Sequence, residues 1–354
     1  MNRGTLVKRN LLDMDLAELT AYIKELEVPA YRAKQIQKWM YAGTEIHQMT
    51  DLPAALRSRL SAQCSAGLLT PVGHLRSAID ETQKFLFALS DGNVIESVLM
   101  KYKYGYSACI SSQAGCRMGC TFCASSGAAF SRNLTAGEML GQIITMNRIC
   151  GVRIGHAVLM GIGEPLDNYD NVLTFLRRVQ DPDCLGISYR KISLSTCGVV
   201  PGILRLAKES IPITLSVSLH SPFEAQRSEM MPINRKYPLD KLMDACNSYT
   251  LETGRRITFE YAMIAGVNDT QAHCRALVAL LKSGHSAQGY HVNLIPVNQV
   301  AGRSYERSEK GRIGQFREDL EKAGISATVR RALGRDIEAA CGQLRRGLLD
   351  TIRK

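Results

Sequence analysis

The chain has 354 residues, of which 45% are hydrophobic and 22% charged, a composition typical of a soluble globular protein with one large and one small domain. Its net charge of +11 favours a polyanionic partner, although many basic proteins bind no nucleic acid. The N-terminus lacks the apolar core of a signal peptide and no apolar run reaches the length of a membrane span, so we expect a cytoplasmic protein with reduced thiols and no membrane contact.

The first 75 residues predict a small helical accessory domain. Helical signals occur at residues 13–19, 32–40 and 53–60, and the first of these opens with carboxylates in the turn where the helix dipole favours them. The second is amphipathic and basic. These basic faces fit either a packing module or an RNA-contacting module.

A β-hairpin connection is predicted at residues 76–101. Two apolar runs, 84–89 and 94–100, flank an Asp91-Gly92 turn, which is a strong hairpin signal. The second run carries Glu96, and a carboxylate in such a strand ordinarily faces solvent.

Residues 102–336 alternate between apolar runs and helical periods, which is typical of parallel βα units. Six strands are expected, at residues 106–110, 157–161, 191–195, 213–219, 257–264 and 290–295, with helices at 135–149, 169–180, 199–209, 238–252 and 270–283. A closed TIM barrel needs eight strands, so the expected fold class is α/β, an open, partial barrel of about six strands. Chemistry in such folds gathers at the C-terminal ends of the strands.

Three cysteines follow the first of these strands in a C-x3-C-x2-C run, namely Cys116, Cys120 and Cys123. A closed all-cysteine iron–sulfur cluster needs four thiolates, so three would leave one iron open to bind a small molecule. The alternative interpretation is a structural zinc knuckle completed by a distant cysteine or histidine. The spacing favours the cluster.

The cysteine run, followed by Gly163-Glu164-Pro165, resembles the radical S-adenosylmethionine (SAM) superfamily. Flanking segments narrow the resemblance to the RlmN/Cfr group, whose members methylate adenine carbons in RNA; these segments are residues 109–116, 160–166, 232–234 and 340–344. The resemblance spans essentially the whole chain. It implies a [4Fe–4S] cluster held by Cys116, Cys120 and Cys123, and two SAM molecules per turnover.

The resemblance also implies the remaining site residues. SAM-binding positions of the group match Gly163, Glu164, Ser195, Ser218, Leu219, His220 and Asn298. The catalytic positions match Glu96 as proton acceptor, Cys341 as the methyl-carrying cysteine, and Cys109 as its partner in a transient disulfide. Many members have serine where this chain has Cys197, which we interpret as a tolerated change.

The C-terminal segment, residues 337–354, carries Cys341. The default interpretation of a lone cysteine is a small buried hydrophobe, but a basic, glycine-containing neighbourhood favours exposure and reactivity. Four arginines are expected to form a basic rim around it, namely Arg330, Arg331, Arg335 and Arg345. A basic loop at residues 232–236 is expected to contact RNA phosphate. The other six cysteines are interpreted as packing residues: Cys64, Cys150, Cys184, Cys197, Cys246 and Cys274.

The function implied by the resemblance is methylation of adenine C2 at adenosine 2503 of 23S rRNA and, as in many members, at adenosine 37 of tRNAs. An electron donor such as flavodoxin or ferredoxin would be needed, and we expect a monomer. A Cfr-like enzyme that methylates C8 of the same rRNA adenine and confers antibiotic resistance has the same thiols. A non-catalytic iron–sulfur or zinc RNA-binding protein is the alternative from another class, and it gives Cys109, Cys341 and Glu96 no purpose.

Overall fold

A computed structural model of the chain describes residues 8–127, 129–284, 289–300 and 302–344. Residues 1–7 of the expected N-terminal domain and residues 345–354 of the expected C-terminal segment, with Arg345, lie outside the described residues. In these ranges, no helix has both the length and the apolar character needed to cross a bilayer.

The N-terminal part is a helical unit, as expected. Asp15 caps its first helix by accepting a hydrogen bond from the Glu18 backbone N–H, and the Glu18 side chain accepts one from the Asp15 N–H. Two short parallel strands bring the ends of the unit together. Its elements are β1 (Arg9–Asn10), α1 (Leu16–Glu25), α2 (Arg32–Tyr41), α3 (Ala54–Gln63) and β2 (Cys64–Ser65).

One ten-stranded sheet dominates the rest of the molecule. Its first four strands are β3 (Thr70–Arg76), β4 (Gln83–Ala88), β5 (Val94–Tyr102) and β6 (Gly105–Cys109), and these pair antiparallel. A separate two-stranded ribbon, β7 (Gln113–Ala114) with β8 (Arg132–Asn133), follows them. The remaining strands of the large sheet are β9 (Ile154–Leu159), β10 (Ile192–Thr196), β11 (Thr214–Ser218), β12 (Thr258–Met263), β13 (His291–Pro296) and β14 (Ser326–Val329).

The hydrogen-bonded order of the large sheet is β14-β13-β12-β11-β10-β9-β6-β5-β4-β3. All neighbours from β6 through β14 are parallel, so their C-terminal ends share one edge. The helices of this part are α4 (Ala136–Cys150), α5 (Tyr169–Val179), α6 (Val200–Ala207), α7 (Glu224–Met230), α8 (Leu239–Thr253), α9 (Gln271–Ser283) and α10 (Lys310–Lys322).

The architecture confirms the α/β open barrel and all six predicted parallel strands, with three differences. A seventh parallel strand, β14, extends the sheet. The strand β3 lies within the range expected to be helical. The hairpin β4–β5 was expected to be a separate connection, but it is part of the large sheet. Strand β4 pairs with β3, and strand β5 pairs with β6.

The end of the described chain crosses back to the antiparallel part of the sheet. The Asp336 carboxylate accepts hydrogen bonds from the Ser77 hydroxyl and the Ala78 N–H, both at 2.7 Å. Nearby, the Gly334 N–H donates to the Asp80 carboxylate at 3.0 Å. These bonds fix the segment that carries Cys341 over the site.

Candidate active site

A cavity of about 170 Å³ opens at the C-terminal ends of the parallel strands. The three cysteines of the C-x3-C-x2-C run line it together with predicted SAM-binding residues from four different strand ends and the proposed methyl carrier. The predicted residues that the structure brings together here are Cys116, Cys120, Cys123, Gly163, Glu164, Ser195, Ser218, His220, Asn298 and Cys341. Glu96, Cys109 and Leu219 do not line this cavity.

The three thiols form a donor set suited to a cationic cluster. Burial raises the pKa of Cys116 to about 12, and burial together with repulsion from Cys123 and Cys116 raises the pKa of Cys120 well above its usual range. Ligation to iron would offset both effects, because thiolates are the form that binds. Three cysteine thiols on one cavity wall have the chemistry of a ligand set for an iron–sulfur cluster.

His220 is a neutral binding group. Its Nδ1 accepts a hydrogen bond from the Ala262 N–H at 2.9 Å, so the ring proton lies on Nε2. Burial, assisted by the charge of Arg227, lowers the pKa of His220 to about 3. The Phe122 ring packs edge-on against the imidazole, with centroids 4.6 Å apart. His220 therefore offers the cavity one hydrogen-bond donor and no charge.

Gly163 and Glu164 also have structural roles in the cavity wall. Gly163 has a φ of +110°, and a Cβ there would lie 2.6 Å from the Gln113 Cβ, so packing against Gln113 already requires glycine. The Glu164 carboxylate accepts hydrogen bonds from the Leu166 N–H at 2.9 Å and the Cys197 N–H at 2.7 Å. Glu164 thus ties the end of β9 to the end of β10 as well as lining the cavity.

Asn298 presents an unused acceptor. Its Nδ2 donates to the Cys341 carbonyl at 3.1 Å, while its buried Oδ1 has no hydrogen-bond partner within the described part of the protein. A buried amide oxygen without a partner is costly, and a ligand N–H or O–H in the cavity would remove that cost. The side chain therefore fits a polar ligand such as SAM.

Two predictions need correction. The Leu219 side chain is fully buried in the main core, so only its backbone can act near the site. Cys197 is buried as expected, but it lines the cavity and is no ordinary packing residue. The other five cysteines assigned to packing do not line the cavity: Cys64, Cys246 and Cys274 are buried, and Cys150 and Cys184 are half-buried.

Arg227 is a buried arginine that connects the strand ends around the cavity. It is 1% exposed, and its guanidinium donates to the carbonyls of Leu219, Ser218 and Cys197 at 3.1, 3.0 and 3.0 Å. It also donates to the Asn234 side-chain oxygen. The guanidinium thus holds the ends of β10 and β11 in fixed relation to each other.

The segment at residues 232–236 differs from the basic loop that was predicted. Residues Pro232–Arg235 form a 3-10 helix whose Asn234 is fully buried and donates to the Glu224 and Ser228 side chains. Only Arg235 and Lys236 remain exposed for contact with phosphate.

Cys341 lies beside Arg330. Both line the main cavity and a second cavity of about 30 Å³. The Arg330 Nη1 lies 3.8 Å from the Glu260 carboxylate and 3.3 Å from the Met160 sulfur. The charges of Cys341 and Glu260 hold the pKa of Arg330 above its usual range despite its burial. Arg330 therefore remains a cation next to the proposed carrier thiol.

Cys109 is coupled to the same arginine. Burial and the neighbouring Cys341 raise the pKa of Cys109 to about 12, and Arg330 opposes the shift. Cys109 packs with Val98, Met100 and Leu344. The two thiols predicted to form a transient disulfide are thus close enough to influence each other electrostatically, and they share one cation.

Replacing Arg330 by methionine is expected to slow the reaction of Cys109 with a thiosulfonate, which forms a mixed disulfide and releases a sulfinate, by about 3- to 10-fold at a given pH. Loss of the guanidinium raises the pKa of Cys109, so its reactive thiolate becomes available only at higher pH. Arg330→Lys keeps a positive charge and should stay within about threefold of the parent protein. Peptide mass spectrometry after timed exposure to a small thiosulfonate, at several alkaline pH values, measures the effect. An unchanged profile in a folded methionine variant would exclude this role.

Glu96 lies in a buried ion pair with a residue that the sequence analysis did not single out. Its carboxylate is 3.5 Å from the Lys84 ammonium, and both side chains are essentially inaccessible to solvent, contrary to the exposed position ordinary for such a carboxylate. Lys84 also donates to the Glu338 carbonyl at 3.2 Å, three residues before Cys341. Glu96 shares its face of β5 with Val98, which packs against Cys109.

Three polar residues of this site were missed from the sequence: Lys84, Arg227 and Glu260. Glu260 had a usable signal, because it interrupts an apolar strand as Glu96 does. Lys84 at the start of a strand and Arg227 in a short polar helix look like ordinary solvent-facing charges. Only their buried contacts in the structure distinguish Lys84 and Arg227 from ordinary surface charges.

Comparisons with known proteins agree with the motifs. A family model described as the radical SAM superfamily matches residues 110–276, and one described as the ribosomal RNA large subunit methyltransferase N-terminal domain matches residues 9–66. A probable dual-specificity RNA methyltransferase RlmN from Desulforamulus reducens is 47% identical, with 98% of each chain covered. One of the same name from Clostridium botulinum is 48% identical, covering 97% of this chain and 98% of that one. The crystal structure of a radical SAM methyltransferase from Sphaerobacter thermophilus superposes with a TM-score of 0.90 at 42% identity, covering 95% of this chain and 99% of that one.

Proposed function

The chain belongs to the RlmN family of radical SAM methyltransferases, and from this premise we propose that it methylates C2 of adenine in RNA, with 23S rRNA and tRNA as substrates. The single observation that carries the proposal is the position of Cys341 beside Arg330 and Cys109, on the wall of the same cavity that the three cysteines line. These two thiols, placed together next to that cavity, have no purpose in a protein that only binds RNA.

The cofactors explain why such a site is needed. C2 of adenine lies between two ring nitrogens and is too electron-poor to displace a methyl group from a sulfonium. A [4Fe–4S] cluster and SAM, when bound, supply carbon-radical chemistry that reaches such a position. We assign Cys116, Cys120 and Cys123 to the cluster. The polar groups assigned to SAM are the Asn298 Oδ1, the His220 Nε2–H and the hydroxyls of Ser195 and Ser218, with Gly163 and Glu164 shaping the wall.

Cys341 is the proposed methyl carrier. The Cys341 sulfur, which lies beside the Arg330 guanidinium, would attack the methyl carbon of SAM, and S-adenosylhomocysteine would leave. The Asn298 amide holds the Cys341 backbone in place. The methyl carbon on Cys341 would then lose one hydrogen atom to the radical chemistry of the bound cofactors and bond to C2 of the adenine, and Glu96 is the proposed acceptor of the proton that leaves the ring.

Cys109 is proposed to release the product. Its thiolate attacks the Cys341 sulfur, the sulfur–carbon bond breaks, and a disulfide remains that an external donor such as flavodoxin or ferredoxin returns to two thiols. Burial is the main cause of the raised pKa of Cys109, and the nearby Arg330 guanidinium opposes it, so Arg330 is the group that favours the attacking thiolate.

The helical unit within residues 1–75 is proposed to hold structured RNA. Lys34 and Lys38 are exposed one turn apart on α2, where they can contact successive phosphates. We further propose that the enzyme acts as a monomer.

The experiment that tests the function is anaerobic. Reconstituted protein, SAM, a reductant and unmodified 23S rRNA or tRNA are incubated, and the digested nucleosides are analysed by mass spectrometry. We expect 2-methyladenosine from both RNAs. Formation of 8-methyladenosine would replace C2 by C8 as the target. If neither forms and SAM stays intact over a reducible cluster, the radical mechanism is wrong for this chain.

A further inference from the structure

An exposed tyrosine lies at the tip of the tight turn between β5 and β6. Tyr102 and Gly105 form the last pair of the hairpin, and Lys103 and Tyr104 are its two turn residues. Gly105 adopts a φ of +118°, a backbone conformation that glycine reaches without steric cost because it has no Cβ. The Tyr104 side chain is 62% exposed, a large fraction for an aromatic ring.

The Tyr104 ring is held in a fixed orientation. It stacks on Tyr102 with centroids 4.9 Å apart and an interplanar angle of 7°, and the His156 ring lies 4.5 Å away at 57°. The exposed tyrosine thus packs against two neighbouring rings and is not a freely rotating side chain. A held, flat, solvent-exposed ring provides a surface on which another flat ring can stack at little cost in side-chain entropy.

The two stacked tyrosines extend from the surface to the small cavity that Cys341 lines. Tyr102, beneath Tyr104, lines the small cavity together with Arg330 and Cys341. Tyr104 in turn lies directly against Tyr102, with the two ring centroids 4.9 Å apart.

Two exposed lysines lie near this group of rings. Lys103 is exposed beside it, and Lys191 lies near enough to His156 to lower the pKa of that imidazole together with burial. Lys101 is also close along the chain but pairs with Glu81 at 2.7 Å. A flat aromatic surface among lysines and arginines has the chemistry that recognises a nucleobase and its flanking phosphates.

We propose that Tyr104 stacks against an unpaired nucleobase of the RNA substrate, the one next to the adenosine that is methylated. The proposal rests on the proposed function and adds how the RNA is held at that site. A target base must leave its own stack to reach Cys341, and this exposes the face of the neighbouring base. Tyr104 replaces the lost stacking partner, and Lys103 and Lys191 contact the adjoining phosphates.

The test compares Tyr104→Ala with Tyr104→Phe and Tyr104→Trp, which keep an aromatic ring. For a labelled RNA stem-loop that contains the target adenosine, we expect the alanine variant to bind about 10- to 100-fold more weakly and to raise the KM by a similar factor. The phenylalanine and tryptophan variants should stay within about threefold. Leu251→Ala, which removes another exposed apolar side chain on α8, is the matched control and should change neither value.

Two further measurements distinguish a loss of base stacking from a loss of charge and from a loss of enzyme activity. The salt dependence of RNA binding should be unchanged in Tyr104→Ala but become less steep in Lys103→Gln. Methylation of Cys341 by SAM needs no RNA and should be normal in Tyr104→Ala. Equal RNA affinity in the alanine variant and the parent protein would overturn the inference, even if the parent protein makes 2-methyladenosine. If the parent protein makes no methylated RNA, the proposed function is wrong. The ratio of the RNA affinities of Tyr104→Ala and the parent protein still tests whether Tyr104 binds RNA.

Discussion

Replacing Cys341 by serine is expected to reduce RNA methylation to background. The hydroxyl of serine is nearly isosteric with the thiol, but it is a far weaker nucleophile at neutral pH and cannot take the methyl group from SAM. The surrounding contacts should survive, because the Asn298 amide donates to the backbone carbonyl of residue 341 and not to its side chain. The measurement is mass spectrometry of the RNA nucleosides and, in parallel, of the tryptic peptide that contains residue 341.

Cys109→Ala provides the informative contrast. Cys341 can still be methylated and joined to RNA, but nothing can displace it, so a covalent protein–RNA species should accumulate on denaturing gels. Cys150→Ala, at the half-buried end of α4 and away from the cavity, should behave like the parent protein. If Cys341→Ser still formed methylated RNA, or if Cys109→Ala turned over repeatedly, the assignment of the two thiols would be wrong.

Replacing Arg227 by leucine is expected to lower the free energy of unfolding by about 3–5 kcal/mol. The change leaves the buried carbonyls of Cys197, Ser218 and Leu219 without their donor, and nothing else in the substituted side chain can hydrogen-bond to them. The strand ends that carry Ser195 and Ser218 lose their common anchor, so SAM affinity should fall as well. Denaturant unfolding followed by circular dichroism, and equilibrium binding of SAM, measure the two effects.

Arg317→Leu is the matched control for Arg227. Arg317 lies on the surface of α10, 3.7 Å from Glu321 in an i,i+4 pair, and both side chains are more than 40% exposed. Its loss should cost about 0.5 kcal/mol or less. Similar stability losses in the two variants would mean that the buried guanidinium does not hold the strand ends together.

The parallel part of the fold was predictable because its strands place buried apolar residues at regular positions. In β10 and β11 these residues alternate with serine or threonine, and helices such as α5 repeat apolar residues with helical spacing. The residues that follow these strands share one edge of the sheet by topology alone. For this reason the sequence alone predicts one site that contains the cysteine run, Gly163, Ser195, His220 and Asn298.

The elements that the sequence did not predict have few buried residues, so they lack the apolar pattern by which a strand is recognised. Only Ala327 of β14 is buried, so this edge strand has no apolar pattern. Most of β3 is exposed, and its Pro71 and Gly73 oppose a strand prediction, while β4 on one side supplies its hydrogen bonds. Lys84 and Arg227 were missed for a related reason, because a charged side chain reveals its burial only through partners distant in sequence.

The tie between Asp336 and Ser77 spans 259 residues of sequence, and the bond from Lys84 to Glu338 spans 254. Contacts so distant along the chain form late in folding, since the loop between them must first be ordered. A variant cut before Gly334 would therefore lose both ties together with Cys341, while the three cysteines of the C-x3-C-x2-C run would remain on their own part of the sheet.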